Sequence, residues 1–109
     1  MTNEINNNND NDYIDYDIHS KYCTYACEEP PDTIAFNRRC IVYIKADGFF
    51  AINGYTSPIL DTPTYIDIFN LLDDIVEITG DYHHTFYEGI HYVKQINEHI
   101  HQIDVIMGS

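Results

Sequence analysis

An Asp-Gly dipeptide between two apolar runs constrains the fold more than any other feature of the sequence. Residues 40–46 and 49–52 flank Asp47-Gly48, and both runs are rich in β-branched or aromatic side chains. Asp-Gly favours a two-residue type I′ turn, because both central residues of that turn need positive φ. The sequence therefore predicts a β-hairpin, with cross-strand pairs Ala46–Phe49, Ile44–Ala51 and Val42–Asn53 on one face and Lys45–Phe50 and Tyr43–Ile52 on the other.

An amphipathic helix is predicted after this hairpin. Thr62 is of a residue type that caps helices, and Pro63 suits the first helical turn, where its missing N–H costs no hydrogen bond. Gly80 provides a left-handed C-cap. Apolar side chains recur at helical spacing between these ends, at Tyr65, Ile68, Phe69, Leu72, Ile75, Val76 and Thr79. The remaining face is acidic, with Asp67, Asp73, Asp74 and Glu77.

Residues 82–109 have two interpretations. As two strands joined by a turn at Asn97-Glu98, they place His91 opposite Asp104. The inward face would then hold Phe86, Ile90, Tyr92, Ile103, Val105 and Met107. As a helix, residues 82–98 carry Gly89 in their interior, at a cost of about 1 kcal/mol relative to alanine. The aromatic and β-branched content favours strands.

The predicted fold class is therefore α+β. It is a two-layer ββαββ domain, in which an antiparallel sheet built from two hairpins packs on one amphipathic helix. The alternative replaces the last hairpin with a second helix at residues 82–98.

The N-terminal part of the chain reads as a tail. Residues 1–20 are rich in Asn and Asp and contain little apolar surface to offset the entropy cost of ordering the backbone. Pro30-Pro31 then favours a stiff, extended connector. We expect residues 1–32 to be a disordered acidic tail with a Pro linker, and residues 33–109 to form a single α+β domain.

The chain is strongly acidic, with five basic and eighteen acidic residues and a formal net charge of −13. Five scattered bases cannot form the patch that nucleic acid or an anionic membrane surface requires. A negative field attracts positive surfaces, so we expect a basic protein partner. The simpler interpretation is that the charge keeps a Tyr- and Ile-rich chain in solution. The candidate interaction residues are Asp10, Asp12, Asp15, Asp17, Glu28, Glu29, Asp67, Asp73, Asp74 and Glu77.

Neither a secretion signal nor an apolar run of the roughly 20 residues needed to span a membrane occurs in the sequence. The three cysteines cannot all pair within one chain. We therefore expect a soluble, intracellular, cytoplasmic protein with reduced thiols.

Histidine and cysteine side chains raise the alternative of a small metal-binding protein. His84, Glu88 and His91 would lie on one face of a helix, but they do not converge on a strand. His19, Cys23, Cys27 and Cys40 could supply four zinc ligands, although their spacing is atypical of zinc sites and free thiols are the simpler interpretation. A calcium loop starting near Asn8 lacks the glycine and the glutamate that such loops need.

No nucleotide-binding loop, nucleophile elbow or zinc-finger spacing is present. The sequence therefore favours a non-catalytic protein-interaction module without a cofactor. Its sharpest form is an inhibitor that mimics nucleic acid and binds a basic partner. An exposed sheet edge would also permit a dimer.

Overall fold

The computed structural model describes residues 16–109, which form a mixed α+β fold with one six-stranded sheet and one bent helix. The helix has two segments, α1 (Tyr65–Phe69) and α2 (Leu72–Thr79). No helix among these residues is long and apolar enough to cross a bilayer. The strands are β1 (Thr24–Tyr25), β2 (Arg39–Ile44), β3 (Tyr55–Thr56), β4 (Leu60–Asp61), β5 (Phe86–Gln95) and β6 (His101–Gly108).

The sheet is mixed, which corrects the prediction of an antiparallel sheet built from two hairpins. Its order is β1-β5-β6-β2-β3, and β4 also pairs with β2. Two of its pairings are parallel, β1 with β5 and β2 with β6. The parallel pairing of β2 with β6 requires a crossover, and the chain makes it through the helix and β5.

The helix has the predicted apolar stripe, and its inward residues join the sheet residues in one core. Gly80 ends it at φ 81°, as predicted. The predicted start at Thr62-Pro63 is wrong: Thr64 is the N-cap, accepting from the Asp67 N–H at 3.2 Å, while Asp67 accepts from the Thr64 N–H at 2.9 Å. This reciprocal capping box gives the backbone N–H groups of Thr64 and Asp67 acceptors that Thr62 and Pro63 could not provide.

The hairpin predicted at Asp47-Gly48 does not form. Gly48 does adopt positive φ, but Asp47 Oδ1 accepts from the N–H groups of Phe49 and Ala51, which closes a loop over residues 47–51. The backbone N–H groups of residues 52 and 53 then donate to the Thr79 carbonyl at the end of α2. Strand β2 therefore pairs with β3, in the register Ile44↔Tyr55 and Tyr43↔Thr56, and the predicted cross-strand pairs are wrong.

The C-terminal hairpin is confirmed, and the alternative helix at 82–98 is wrong. Strands β5 and β6 pair with His91 opposite Asp104, as predicted. The prediction that Phe86 faces inward fails because the register shifts between Tyr87 and Gly89. Glu88 is the extra residue of this bulge, and Gly89 adopts φ 147°. Tyr87 is therefore buried, and Phe86 is exposed instead of facing inward. Tyr92, which was also predicted to face inward, keeps its pairing with Ile103 but is 47% exposed.

The folded unit begins upstream of the boundary expected at Thr33. Cys23, Tyr25 and Cys27 alternate into the core, while Tyr16 and Ile18 pack against it. The backbone of this segment extends the sheet, since Thr24 N–H donates to the Thr85 carbonyl and Ala26 N–H to the Tyr87 carbonyl. The part of the expected tail that spans residues 16–32 therefore belongs to the domain, and residues 1–15 lie outside the described residues.

One helix carboxylate anchors this segment. Asp73 accepts hydrogen bonds from Ser20 Oγ at 2.7 Å, from Lys21 N–H at 2.9 Å and from Tyr22 N–H at 3.0 Å. One turn further along the helix, Glu77 accepts from the Tyr22 hydroxyl at 2.9 Å. Two of the acids predicted to face a partner therefore bind this chain's own backbone and side chains.

Replacing Asp73 with alanine should lower the free energy of unfolding by about 1–2 kcal/mol, because three donors lose a charged acceptor. Asp74→Ala is the matched control: it lies on the same helical turn but is exposed, and its effect should stay within about 0.5 kcal/mol. Urea denaturation monitored by circular dichroism measures both values. Equal effects of the two substitutions would contradict the anchoring role of Asp73.

The same carboxylate makes a pH-dependent contribution. Partial burial acts to raise the pKa of Asp73, but the hydrogen bonds from Ser20, Lys21 and Tyr22 outweigh it, and the pKa lies below the ordinary value of 3.8. A folded-state pKa below the unfolded one stabilises the fold above the unfolded pKa, and this stabilisation disappears as the pH falls through the folded value. The stability difference between wild type and Asp73→Ala should therefore shrink between pH 7 and about pH 2.5. A difference that stayed constant over that range would argue against the carboxylate as its source.

Candidate functional site

An acidic cleft of about 480 Å³ lies between the segment after β1 and the bulge of β5. Three glutamates line it, Glu28 and Glu29 from the first element and Glu88 from the second. Cys27, Tyr65 and Ile106 contribute to the remaining wall. Its described lining contains no Lys, Arg or His, so the cleft has a surplus of negative charge.

Strand pairing brings the three glutamates together. Tyr25 pairs with Tyr87 in the parallel ladder, which places the residues that follow each tyrosine side by side. The Tyr25 hydroxyl donates to the Glu29 carbonyl at 2.6 Å and turns the chain back after β1. On the other side the bulge turns Glu88 out of the regular strand alternation, and its carboxylate lies against Gly108. A side chain at position 108 would displace this carboxylate.

The negative charge of the cleft contributes to raised pKa values of two neighbouring groups. Burial raises the pKa of the Cys27 thiol to about 11, and the charges of Glu88 and Glu29 add to the rise. Burial also raises the pKa of the Tyr65 hydroxyl, with a contribution from Glu29. Both groups therefore stay protonated at neutral pH, and neither offers a nucleophile or a ready metal ligand.

The other predicted interaction residues do not join this cleft. Asp17 lies beside His19 at 3.0 Å, and Asp67 caps α1. Asp73 and Glu77 hold residues 20–22, whereas Asp74 is exposed on α2. Three further predicted residues, Asp10, Asp12 and Asp15, lie outside the described residues. Of the predicted interaction residues that the structure describes, only Glu28 and Glu29 line this cleft.

The predicted metal ligands are dispersed. Cys23, Cys27 and Cys40 are separate, buried free thiols. His19 bonds to Asp17 and Thr24, and His84 bonds to Asp81 at 2.8 Å. Glu88 lines the acidic cleft, and His91 is exposed on β5. Across residues 16–109, no group of three or more His, Cys, Asp or Glu side chains is placed to hold a metal ion.

Sequence reasoning missed the role of Glu88 and the strand that aligns it with Glu28 and Glu29. A signal for that strand was present, because Cys23, Tyr25 and Cys27 repeat with the period of two that marks a half-buried strand. The high Asn and Asp content of the preceding residues favoured the prediction of a disordered tail instead. Glu88 itself carried no local signal, since its position depends on a bulge and on pairing with a distant segment.

Comparisons of the sequence with protein-family models and with curated proteins, and of the structure with solved structures, find no match.

The three thiols provide a test of the packing around the cleft. Burial raises the pKa of Cys23, and it raises those of Cys27 and Cys40 to about 11. All three should resist 5,5′-dithiobis(2-nitrobenzoate) at pH 8 in the native protein and react fully in denaturant, because the thiolate is the reactive form. Rapid labelling of Cys23 or Cys27 in the native state would contradict the docking of residues 16–32.

Proposed function

We propose that the protein is a non-catalytic interaction module that binds a basic segment of a partner protein through the acidic cleft. The observation that supports this most directly is the convergence of Glu28, Glu29 and Glu88 around one concave surface whose described lining has no base. A cleft of about 480 Å³ has room for a Lys or Arg side chain together with part of its backbone. Arginine suits it particularly, because a planar guanidinium donates to carboxylates in pairs.

The distribution of the basic residues supports the same proposal. Lys21 lies 3.5 Å from Glu77, and Arg39 lies 3.6 Å from Asp61. Lys94 lies six residues beyond Glu88 on the same strand, about 20 Å away at the rise of an extended chain. None of these three bases lines the cleft, so its charge is left for a partner.

In its sharpest form the proposal is that the protein mimics nucleic acid. Its partner would then be a protein with a basic nucleic-acid-binding surface, and the carboxylates of this chain would compete with phosphates. The overall charge of −13 would speed association, and the cleft would supply the specific contacts. Inhibition of the partner by occupying that surface follows directly from such competition.

Two triple variants separate a specific cleft from general charge. Glu28→Gln/Glu29→Gln/Glu88→Gln neutralises the cleft, and Asp32→Asn/Asp74→Asn/Glu98→Gln neutralises three exposed acids outside it. Both variants remove three negative charges. The probe is a fluorescein-labelled peptide of nine arginines, and its affinity is measured by fluorescence anisotropy with full-length protein.

The cleft variant should lose about tenfold or more in affinity, because the lost contacts are direct charge-assisted hydrogen bonds. The control variant should lose about threefold or less, because only long-range attraction changes, and that part should fade with added salt. Equal losses in the two variants would refute the cleft as the binding site and leave a nonspecific charge effect.

A further inference from the structure

A second cavity, of about 360 Å³, opens where the sheet divides between β2 and β6. The two strands pair only from Cys40↔His101 to Val42↔Ile103. Beyond this point β2 keeps its pairing with β3 on its other edge but no longer pairs with β6. Their divergence leaves a gap beside residues 104–107 of β6, and α2 lies along one side of it. The apolar lining includes Leu72, Ile75 and Val76 from α2 and Val105 and Met107 from β6.

The hydrogen-bond pattern places the Asp104 carboxylate at this gap. The Val42 N–H donates to Ser57 Oγ, and the Val42 carbonyl accepts from the Ser57 N–H. Because backbone hydrogen-bonding groups alternate between the two edges of a strand, the N–H and C=O groups of the residues on either side of Val42 point to β6. Those of Ile103 and Val105 on β6 point to β2. Beyond Ile103 the partner strand has turned away. The Val105 N–H donates to Asp104 Oδ1 at 2.8 Å, so this carboxylate occupies a position that a strand carbonyl would otherwise take.

Asp104 retains hydrogen-bonding capacity. Within the described part of the chain, the Val105 N–H is the one donor that its carboxylate accepts from, although a carboxylate can accept about four hydrogen bonds. Burial raises the pKa of this carboxyl above the ordinary value, and the hydrogen bond from the Val105 N–H and the nearby His91 only partly offset the rise. A half-buried carboxylate of this kind is stabilised by a cation that replaces its lost hydration.

The other two carboxylates of the cavity, Asp47 and Asp81, already have hydrogen-bond partners within the chain. Asp47 accepts from two backbone N–H groups of its own loop, and Asp81 accepts from the His83 N–H and contacts His84 Nδ1 at 2.8 Å. The ring of Phe50 packs edge-on against that of His84, with their centroids 4.9 Å apart. The described lining therefore contains three aspartates against one lysine, Lys45, with aromatic rings at its rim.

The geometry points to a binding site for a small organic cation, in which Asp104 binds a primary amine and the apolar body of the ligand lies against α2 and β6. The volume is at the lower end of the range for ligand pockets, about 300–1,000 Å³, which limits the ligand to roughly one ring and a short chain. This site is separate from the acidic cleft, and its occupation does not depend on the partner proposed above.

Three probes of one shape and different charge test the inference on the full-length protein: 2-phenylethylamine, 2-phenylethanol and phenylacetate. Methyl NMR signals of Leu72 and Met107 report binding at the cavity, because both residues line it. The amine should produce saturable shifts of these signals at millimolar concentration. The alcohol and the carboxylate should bind at least about tenfold more weakly.

Asp104→Asn keeps the shape and an acceptor for the Val105 N–H but removes the charge, and it should weaken amine binding by about tenfold. Asp32→Asn, which changes an exposed acid outside the cavity, should change it by less than about twofold. Lys45→Gln should leave amine binding unchanged or tighten it, because it removes a like charge. Equal affinity for all three probes, no saturable shift with the amine, or an unaffected Asp104→Asn variant would overturn the inference.

Discussion

The fold depends on the packing of Tyr87, which is completely buried and joins three elements. Its ring contacts Tyr25 of β1, Tyr65 and Phe69 of α1, with ring centroids 5.6 to 6.4 Å apart. Aromatic pairs in these tilted and edge-on arrangements stabilise a core beyond the area they bury. Because β1 supplies one wall of this cluster, residues 16–32 are required to keep Tyr87 from water, and the domain includes them.

The same contact explains the position of the acidic cleft. Tyr25 and Tyr87 are direct partners in the parallel ladder, and the glutamates of the cleft follow them closely in sequence. The cleft is therefore a consequence of how the core is closed, and its carboxylates are held by backbone pairing. The acids of α2 have another role, since Asp73 and Glu77 fasten the segment that leads into β1. Some acidic side chains of this chain therefore stabilise the fold, and others line the cleft.

Sequence patterns predicted the elements whose signals are local. The apolar stripe of the helix, its glycine C-cap and the register of His91 with Asp104 were all predictable from short-range rules. The rest depends on contacts between distant segments. The hairpin predicted at Asp47-Gly48 does not form because other acceptors take the N–H groups that follow the turn. The Asp47 carboxylate accepts from Phe49 and Ala51, and the Thr79 carbonyl at the end of α2 accepts from residues 52 and 53. The prediction that Phe86 faces inward was wrong because a bulge reverses the strand alternation, and the same bulge places Glu88 in the cleft.

Hydrogen exchange of individual backbone amides, followed by NMR in the full-length protein, tests the central claim that β1 closes the core over Tyr87. The Thr24 amide donates to the Thr85 carbonyl, and the Ala26 amide donates to the carbonyl of Tyr87 itself. They should exchange within about tenfold of the slowest amides of β5 and β6, because they open only when the sheet does. Exchange of both amides at the rate of an unstructured chain would contradict the account, since neither the core nor the acidic cleft could then exist as described.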